Sequence, residues 1–392
     1  MTPRVRVSMP VIMTVIMTVI LPVILLAVMS LVAVPARAAA PGDVVSARPT
    51  TVYYLPGRLL EVPVDAWHLL YTSTSATGGP NEVSGTLLVP KAAYPLGARP
   101  IIGYAVGTHG LGDRCAPSAG MSQGREAELA LVTLFLLKGF AVAITDYEGL
   151  GTPGTHTYMA GISQGHAVLD SVRAAMRVPG AGLSSRAPVG VMGYSQGGAS
   201  AGWAAQLQPS YAPELRLRGV AAGGVPADLY AVATHLDGSA NFGLAAAAGV
   251  GLDAAYPELD LEADLNDRGR ALLAAAAEGC VADLDALAGL RFADLSPVDL
   301  LDQPKWRARL AENRLGAVAP RVPVFQYHAD GDQIIPLSVG ATLRSQWCRA
   351  GANVRWAVLP APDHVTGAVE GGPLAAEWLA LRILGLPASG NC

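Results

Sequence analysis

Ser195 sits in Gly193-Tyr194-Ser195-Gln196-Gly197, a G-x-S-x-G pattern. A serine hydroxyl is a weak nucleophile, so chemistry at Ser195 needs a base to take its proton and an acid to orient and stabilise that base. In a chain with 44 Gly the pattern alone is weak, and its setting decides. The apolar run Val189–Met192 precedes it and a helical stretch opens near Gly198. A turn this tight between strand and helix needs Gly at its flanks. It leaves the serine exposed at the carboxyl edge of a sheet, where a helix N-terminus aims free N–H groups at a developing oxyanion. An ordinary glycine-rich turn is the plain alternative, and the partners downstream argue against it.

Partners in such a site follow the nucleophile in the order acid, then His, on segments after later strands. The segment His328-Ala329-Asp330-Gly331-Asp332-Gln333-Ile334-Ile335-Pro336 follows the apolar run Val322–Tyr327, and Pro360-Ala361-Pro362-Asp363-His364 follows Asn353–Leu359. His364 is the only His beyond residue 328 and is the candidate base. The first segment resembles the common hydrolase loop H-G-x-x-D-x-x-V-P, in which the acid stands four residues before the Pro. Pro336 then selects Asp332, with Asp330 as the alternative. The oxyanion hole is expected from the N–H of Gln196 and a donor on Gly107-Thr108-His109-Gly110, at Thr108 or His109. The position of His109 suits a backbone donor better than a side-chain base.

These residues need elements to hold them. Ala66–Tyr71 and Val83–Val89, separated by the turn cluster Thr77–Asn81, form a β-hairpin pattern. Short apolar runs at Pro100–Val106, Phe140–Thr145, Pro188–Met192, Leu217–Ala222, Val322–Tyr327 and Asn353–Leu359 then alternate with helical stretches. The helices are placed near 123–138, 166–177, 199–207, 337–349 and 374–384. That rhythm predicts βαβ units and a mostly parallel, doubly wound sheet. It breaks from about Pro226 to Arg314, where Ala and Leu dominate. Asp237–Asp294 carries eleven acids against three Arg, so this span is expected to be an inserted helical cap with an acidic outer face. Leu272, Leu273, Leu284 and Leu287 are candidates to line a tunnel for an apolar substrate there, or simply to pack the cap's own core. The domains expected are a signal peptide over 1–38, an α/β core over 39–225 and 315–392, and the cap over 226–314.

The N-terminal segment runs from Arg4 and Arg6 through an uncharged apolar stretch, Met9–Ala36, to an A-x-A site at Ala36-Arg37-Ala38. This reads as a secretory signal peptide, with an uncleaved anchor as the alternative. Cleavage after Ala38 removes three Arg and no acid, taking the net charge from −4 to −7. With 27 basic and 31 acidic residues there is no basic surplus, which argues against nucleic acid. Four cysteines, Cys115, Cys280, Cys348 and Cys392, agree with export; none forms a C-x-x-C pair, and spacing alone does not choose among their three pairings. The seven His are scattered without metal-ligand spacing, so no metal and no cofactor is expected.

Gly107–Ser118, Asp146-Tyr147-Glu148-Gly149-Leu150-Gly151, Gly193–Gly198 and the His364 segment together resemble the secretory lipase family, in its actinobacterial branch, from about Thr50 to the C-terminus. The resemblance implies an α/β-hydrolase core under a helical cap, and hydrolysis of triacylglycerols and simpler carboxylic esters. It implies Ser195 as nucleophile, Asp332 as acid, His364 as base, and an oxyanion loop at Thr108 or His109. The family's lipase A enzyme has Glu-Asp in that loop, which this chain lacks. The family's disulfides imply Cys115–Cys280 and Cys348–Cys392. The implied product is a secreted enzyme whose partner is an ester or lipid substrate, with a lipid–water interface as an option and no stable protein partner. An acyltransferase or peptidase would use the same triad. A non-catalytic relative would lack part of it.

Overall fold

The computed structural model describes residues 40–392 together with Met1 and Pro3. The leader expected over 1–38 otherwise lies outside the described residues. No helix among the described residues is long and apolar enough to cross a membrane.

The strands are β1 Val44–Thr50, β2 Tyr53–Leu55, β3 Leu59–Glu61, β4 Val64–Thr74, β5 Pro80–Pro90, β6 Ile101–Ala105, β7 Ala141–Glu148, β8 Pro188–Tyr194, β9 Arg216–Gly223, β10 Val324–Ala329 and β11 Val354–Leu359. The helices are α1 Pro117–Gln123, α2 Leu129–Leu136, α3 Gly161–Arg177, α4 Gln196–Tyr211, α5 Leu229–Leu236, α6 Phe242–Ala255, α7 Leu261–Asp264, α8 Asp267–Ala277, α9 Phe292–Leu295, α10 Pro304–Glu312, α11 Leu337–Arg349 and α12 His364–Ile383.

Nine strands form one sheet in the order β1-β4-β5-β7-β6-β8-β9-β10-β11. The six from β7 to β11 along that order are parallel, and β5, β4 and β1 continue it antiparallel. Both faces are covered, which is why β6 and β10 are buried at every residue and read as unbroken apolar runs. Neighbouring strands put Gly103 and Val191 on one face and Ile102 and Gly190 on the other. Gly103 meets Val168 and Val172 of α3, whereas Gly190 meets Leu379 and Ile383 of α12. The helices thus wind on opposite sides, as the alternation of strand and helix predicts.

Between β9 and β10 the chain runs through α5 to α10. The Leu315 N–H donates to the Ala227 carbonyl at 2.9 Å, closing the base of this excursion. One disulfide, Cys115–Cys280, spans 165 residues and ties it to the segment after β6; the other, Cys348–Cys392, joins α11 to the C-terminus. Around the first, Leu111 N–H and Gly112 N–H both donate to the Gly279 carbonyl.

Four local expectations are corrected. The helix expected over 123–138 is only α2, Leu129–Leu136, and a separate helix, α1, ends at Gln123. Gly124 ends α1 at φ 69°, and a Cβ there would overlap the Leu55 carbonyl, so the chain must turn at a glycine where β2 passes. The terminal helix starts at His364, ten residues before Leu374, because Asp363 caps it by accepting from the Thr366 N–H at 2.7 Å. Pro373 is accommodated inside that helix rather than opening it. α3 and α4 also begin earlier than expected, at Gly161 and Gln196. Finally, β1 adds a third antiparallel strand to the expected hairpin of β4 and β5.

Candidate active site

Ser195 stands between β8 and α4 with φ 59° and ψ −123°, a strained conformation for a residue with a Cβ. The strain is held by close packing. A Cβ on Gly193 would lie 2.2 Å from the Gly197 carbonyl, and one on Gly197 would lie 2.0 Å from the Ala105 carbonyl. Only glycines let the elbow close this tightly, and the Ser195 N–H is fixed by the Gly223 carbonyl at 3.0 Å. Gln196 opens α4, and its backbone N–H has no acceptor among the described residues.

Asp332 and His364 meet although they come from loops after different strands. His364 Nδ1 lies 2.7 Å from Asp332 Oδ2. The other carboxylate oxygen accepts from the Ile334 and Ile335 N–H groups at 3.0 and 2.8 Å. Burial alone would raise the Asp332 carboxyl. The hydrogen bond and charge of His364, with the Ile335 N–H, outweigh it and hold the group below the usual carboxylate range. Asp330 is exposed, and its N–H donates to the Leu359 carbonyl. His364 Nε2 is buried and makes no hydrogen bond among the described residues. In the neutral imidazole, a proton on Nδ1 facing the carboxylate leaves Nε2 as an acceptor.

Several supporting groups carry no separate sequence signal. The Tyr194 hydroxyl donates to the His364 carbonyl at 2.8 Å, and Gln333 Oε1 accepts from the His364 N–H at 3.0 Å. His328 Nε2 lies 2.9 Å from the Ile335 carbonyl and 3.4 Å from Asp332 Oδ2. His156 Nδ1 donates to the Glu148 carbonyl at 2.8 Å, so Nε2 accepts from the Gln196 side-chain amide at 3.2 Å. Burial drives His156 down to about 4, so it is neutral at ordinary pH.

On the loop after β6, the backbone N–H groups of Thr108 and His109 make no hydrogen bond among the described residues. The His109 ring is fully engaged. Nδ1 faces the Gly107 carbonyl and Nε2 faces Glu126, both at 2.9 Å. Both partners only accept, so both ring nitrogens carry protons. Burial would lower this group, but the hydrogen bond and charge of Glu126, with Glu128 and the Gly107 carbonyl, raise it to about 9. His109, Glu126 and Glu128 bring ligand-type atoms within 4.8 Å of one another. All three are already spent on protein partners: Glu128 accepts from the Tyr104 hydroxyl and the Gly107 N–H, and Glu126 from His109 and the Glu128 N–H.

A cavity opens beside Ser195 and Gln196 and is lined by residues of α5 and α6. Apart from Tyr158, those two residues and the Trp306 indole, its wall is apolar, with Leu229, Leu236, Leu252 and Leu310 among its residues. Of the four leucines singled out in the insert, Leu273 lines it. Leu284 and Leu287 are buried elsewhere, Leu284 against Gly243 of α6, and Leu272 is half-buried.

A serine on a strained elbow, at the carboxyl edge of this sheet and with later strands feeding in an Asp–His pair, defines an α/β-hydrolase. The chain matches the model of the secretory lipase family over residues 118–391 and belongs to that family. It is 30% identical over 366 residues to a probable inactive lipase of Mycobacterium tuberculosis, covering 89% of this chain and 80% of that one. It is likewise 30% identical to lipase 6 of Candida albicans over 388 residues, 91% of this chain and 81% of the other. The closed state of Candida antarctica lipase A superposes with a TM-score of 0.80 at 26% identity, over 89% of this chain and 84% of the lipase. The chain is thus a hydrolase of the lipase and esterase type.

Proposed function

We propose that the chain is a secreted ester hydrolase acting on long-chain acyl esters, acylglycerols foremost, through Ser195, His364 and Asp332 and an acyl-enzyme. The observation that carries this reading is a cavity with an almost wholly apolar wall that reaches Ser195 itself. Such a wall favours an alkyl chain by about 0.8 kcal/mol for each methylene it buries. In this reading His364 Nε2 takes the Ser195 proton as Oγ attacks the acyl carbonyl. The Gln196 N–H and a second donor at the loop of Thr108 and His109 hold the oxyanion. Protonated His364, steadied by Asp332, then returns the proton to the departing alcohol. Water repeats the sequence on the acyl-enzyme and releases the fatty acid.

The insert over 226–314 acts as the cap that sets chain length. Residues 1–38 act as the export signal, which agrees with two disulfides and with a secreted triacylglycerol lipase of Malassezia furfur among the relatives. A non-catalytic role would call for a missing triad member, and all three are present. The test is a profile of turnover against acyl length, on soluble nitrophenyl esters and on emulsified triglyceride. Rising kcat/KM toward long chains, abolished by Ser195→Ala, supports the reading. Activity confined to acetate and butyrate esters overturns the long-chain assignment.

A further inference from the structure

Beside the elbow lies a pair of hydroxyls that the triad does not use. Thr108 Oγ1 and the Tyr158 hydroxyl oxygen are 2.8 Å apart, and either can donate to the other. Neither makes a second hydrogen bond among the described residues. The pair holds two hydroxyl protons and spends one between its members, so one remains to donate.

The pair lies close to the elbow. Tyr158 shares the cavity wall with Ser195 and Gln196 and is 5% exposed. The loop carrying Thr108 abuts the elbow, since a Cβ on Gly107 would come within 3.5 Å of the Tyr194 carbonyl. Tyr158 is itself clamped. Its backbone lies so close to α6 that a Cβ on Gly251 would be 2.4 Å from the Tyr158 nitrogen. Its N–H donates to the His156 carbonyl at 2.8 Å. The obvious rival side chain on this loop cannot serve, because both N–H groups of His109 are taken by Gly107 and Glu126. Burial raises the Tyr158 hydroxyl to about 12, so it keeps its proton throughout the range in which an ester hydrolase works.

We infer that the Thr108–Tyr158 pair is the second donor of the oxyanion hole, with Tyr158 as a catalytic residue. This deepens the ester-hydrolase reading above and rests on it. As Ser195 Oγ bonds to the acyl carbon, the carbonyl π electrons move onto oxygen. That oxygen then accepts two hydrogen bonds, one from the Gln196 N–H and one from the unspent hydroxyl proton. No proton leaves the pair, and collapse of the intermediate restores it. Each hydroxyl polarises the other as the charge grows, so the pair acts as a unit.

The test is a double-mutant cycle with Thr108→Val and Tyr158→Phe, and with Thr108→Ser to keep the hydroxyl. Each single removal leaves one hydroxyl with its proton free; the double removal leaves none. Kinetics on a nitrophenyl ester should show the double variant losing about 10²-fold in kcat, the usual cost of one oxyanion donor. KM should stay within about threefold, the effects of the singles should not add up to that of the double, and Thr108→Ser should match the parent. Affinity for a trifluoromethyl ketone should fall in step with kcat, while affinity for the fatty-acid product should not. A double variant within about fivefold of the parent kcat overturns the proposal, and so does a loss carried wholly by KM. If that double variant does not fold, Thr108→Ala combined with Tyr158→Phe, which likewise removes both hydroxyls, is read by the same ketone-to-product affinity ratio, an unchanged ratio counting against the pair. Labelling of parent Ser195 by a fluorophosphonate separates the two claims. No labelling sinks the hydrolase reading, whereas labelling with an unaffected double variant sinks the pair alone.

Discussion

Three glycines of α6 answer differently to an added side chain. A Cβ on Gly243 would run into the Leu284 carbonyl at 2.3 Å, and one on Gly251 into the Tyr158 backbone at 2.4 Å. At Gly249 the nearest atom from another element among the described residues is Leu261 Cδ2, at 3.9 Å, and Gly249 lines the cavity beside Ser195. Gly249→Leu therefore grows into the space assigned to the acyl chain without moving backbone. Its four carbons exclude about three methylenes of substrate, worth about 0.8 kcal/mol each, or roughly 2.4 kcal/mol in all. That is a loss of about 60-fold in kcat/KM for chains long enough to pass Gly249. Acetate and butyrate esters should be turned over within about twofold of the parent. The melting temperature should hold or rise, because Leu is the better helix former by roughly 0.5–1 kcal/mol. The assay is kcat/KM for nitrophenyl esters from acetate to palmitate. An equal fall for acetate and palmitate, or an unchanged profile in a folded variant, would refute the assignment of this cavity to the acyl chain.

Other outcomes follow from the site. Asp332→Asn should cut ester turnover by about 10⁴, as for other triads, whereas exposed Asp330→Asn should stay within a few-fold; the reverse order in a kcat comparison would put the acid two residues away. Buried His156, lowered to about 4 in the fold from 6.5, binds its proton more readily when unfolded, so stability should fall as pH drops from about 6.5 to 4, by about 3 kcal/mol. A His156→Gln variant should show a flatter urea-denaturation profile across that window. His109 has the opposite sign. Raised to about 9, it contributes stability that is complete below about 6.5 and lost as pH climbs through 9, a loss that His109→Gln should remove. Replacing Cys115 and Cys280 by Ser opens a loop of 165 residues and should cost roughly 5 kcal/mol on the chain-entropy account. Thermal unfolding with and without the bridge measures that cost.

The elbow was legible in the sequence because its constraint is local. Gly193 and Gly197 are demanded by atoms of the turn and of the strand beside it, so strand, motif and helix announce each other within twenty residues. Pro336 likewise pointed to Asp332, and it is the Asp332 carboxylate that meets His364 while Asp330 is exposed. What stayed hidden depends on partners distant in sequence. Tyr194 reaches the His364 carbonyl across 170 residues, and Trp347 reaches Gln206 across 141. Glu126 and Glu128 read as part of one helix over 123–138, whereas Gly124, forced by β2, ends α1 before them and both carboxylates meet the loop after β6. The start of α12 at His364 was masked by Gly371-Gly372-Pro373, which locally reads as a boundary, while one Asp363 cap decided the matter. The leucines between β9 and β10 were ambiguous for a related reason. Period alone gives a buried face, but whether that face meets a cavity or another helix depends on how α6 and α8 are packed.

The most direct measurement is intact and peptide mass spectrometry of the protein after a long-chain fluorophosphonate. The account predicts one adduct per chain, on the peptide containing Ser195. Labelling should slow by orders of magnitude in His364→Ala and be prevented by a competing long-chain ester. An adduct on any other residue, or no adduct on a folded protein, would contradict the claim that Ser195 is a nucleophile activated by His364 at the mouth of an acyl-binding cavity.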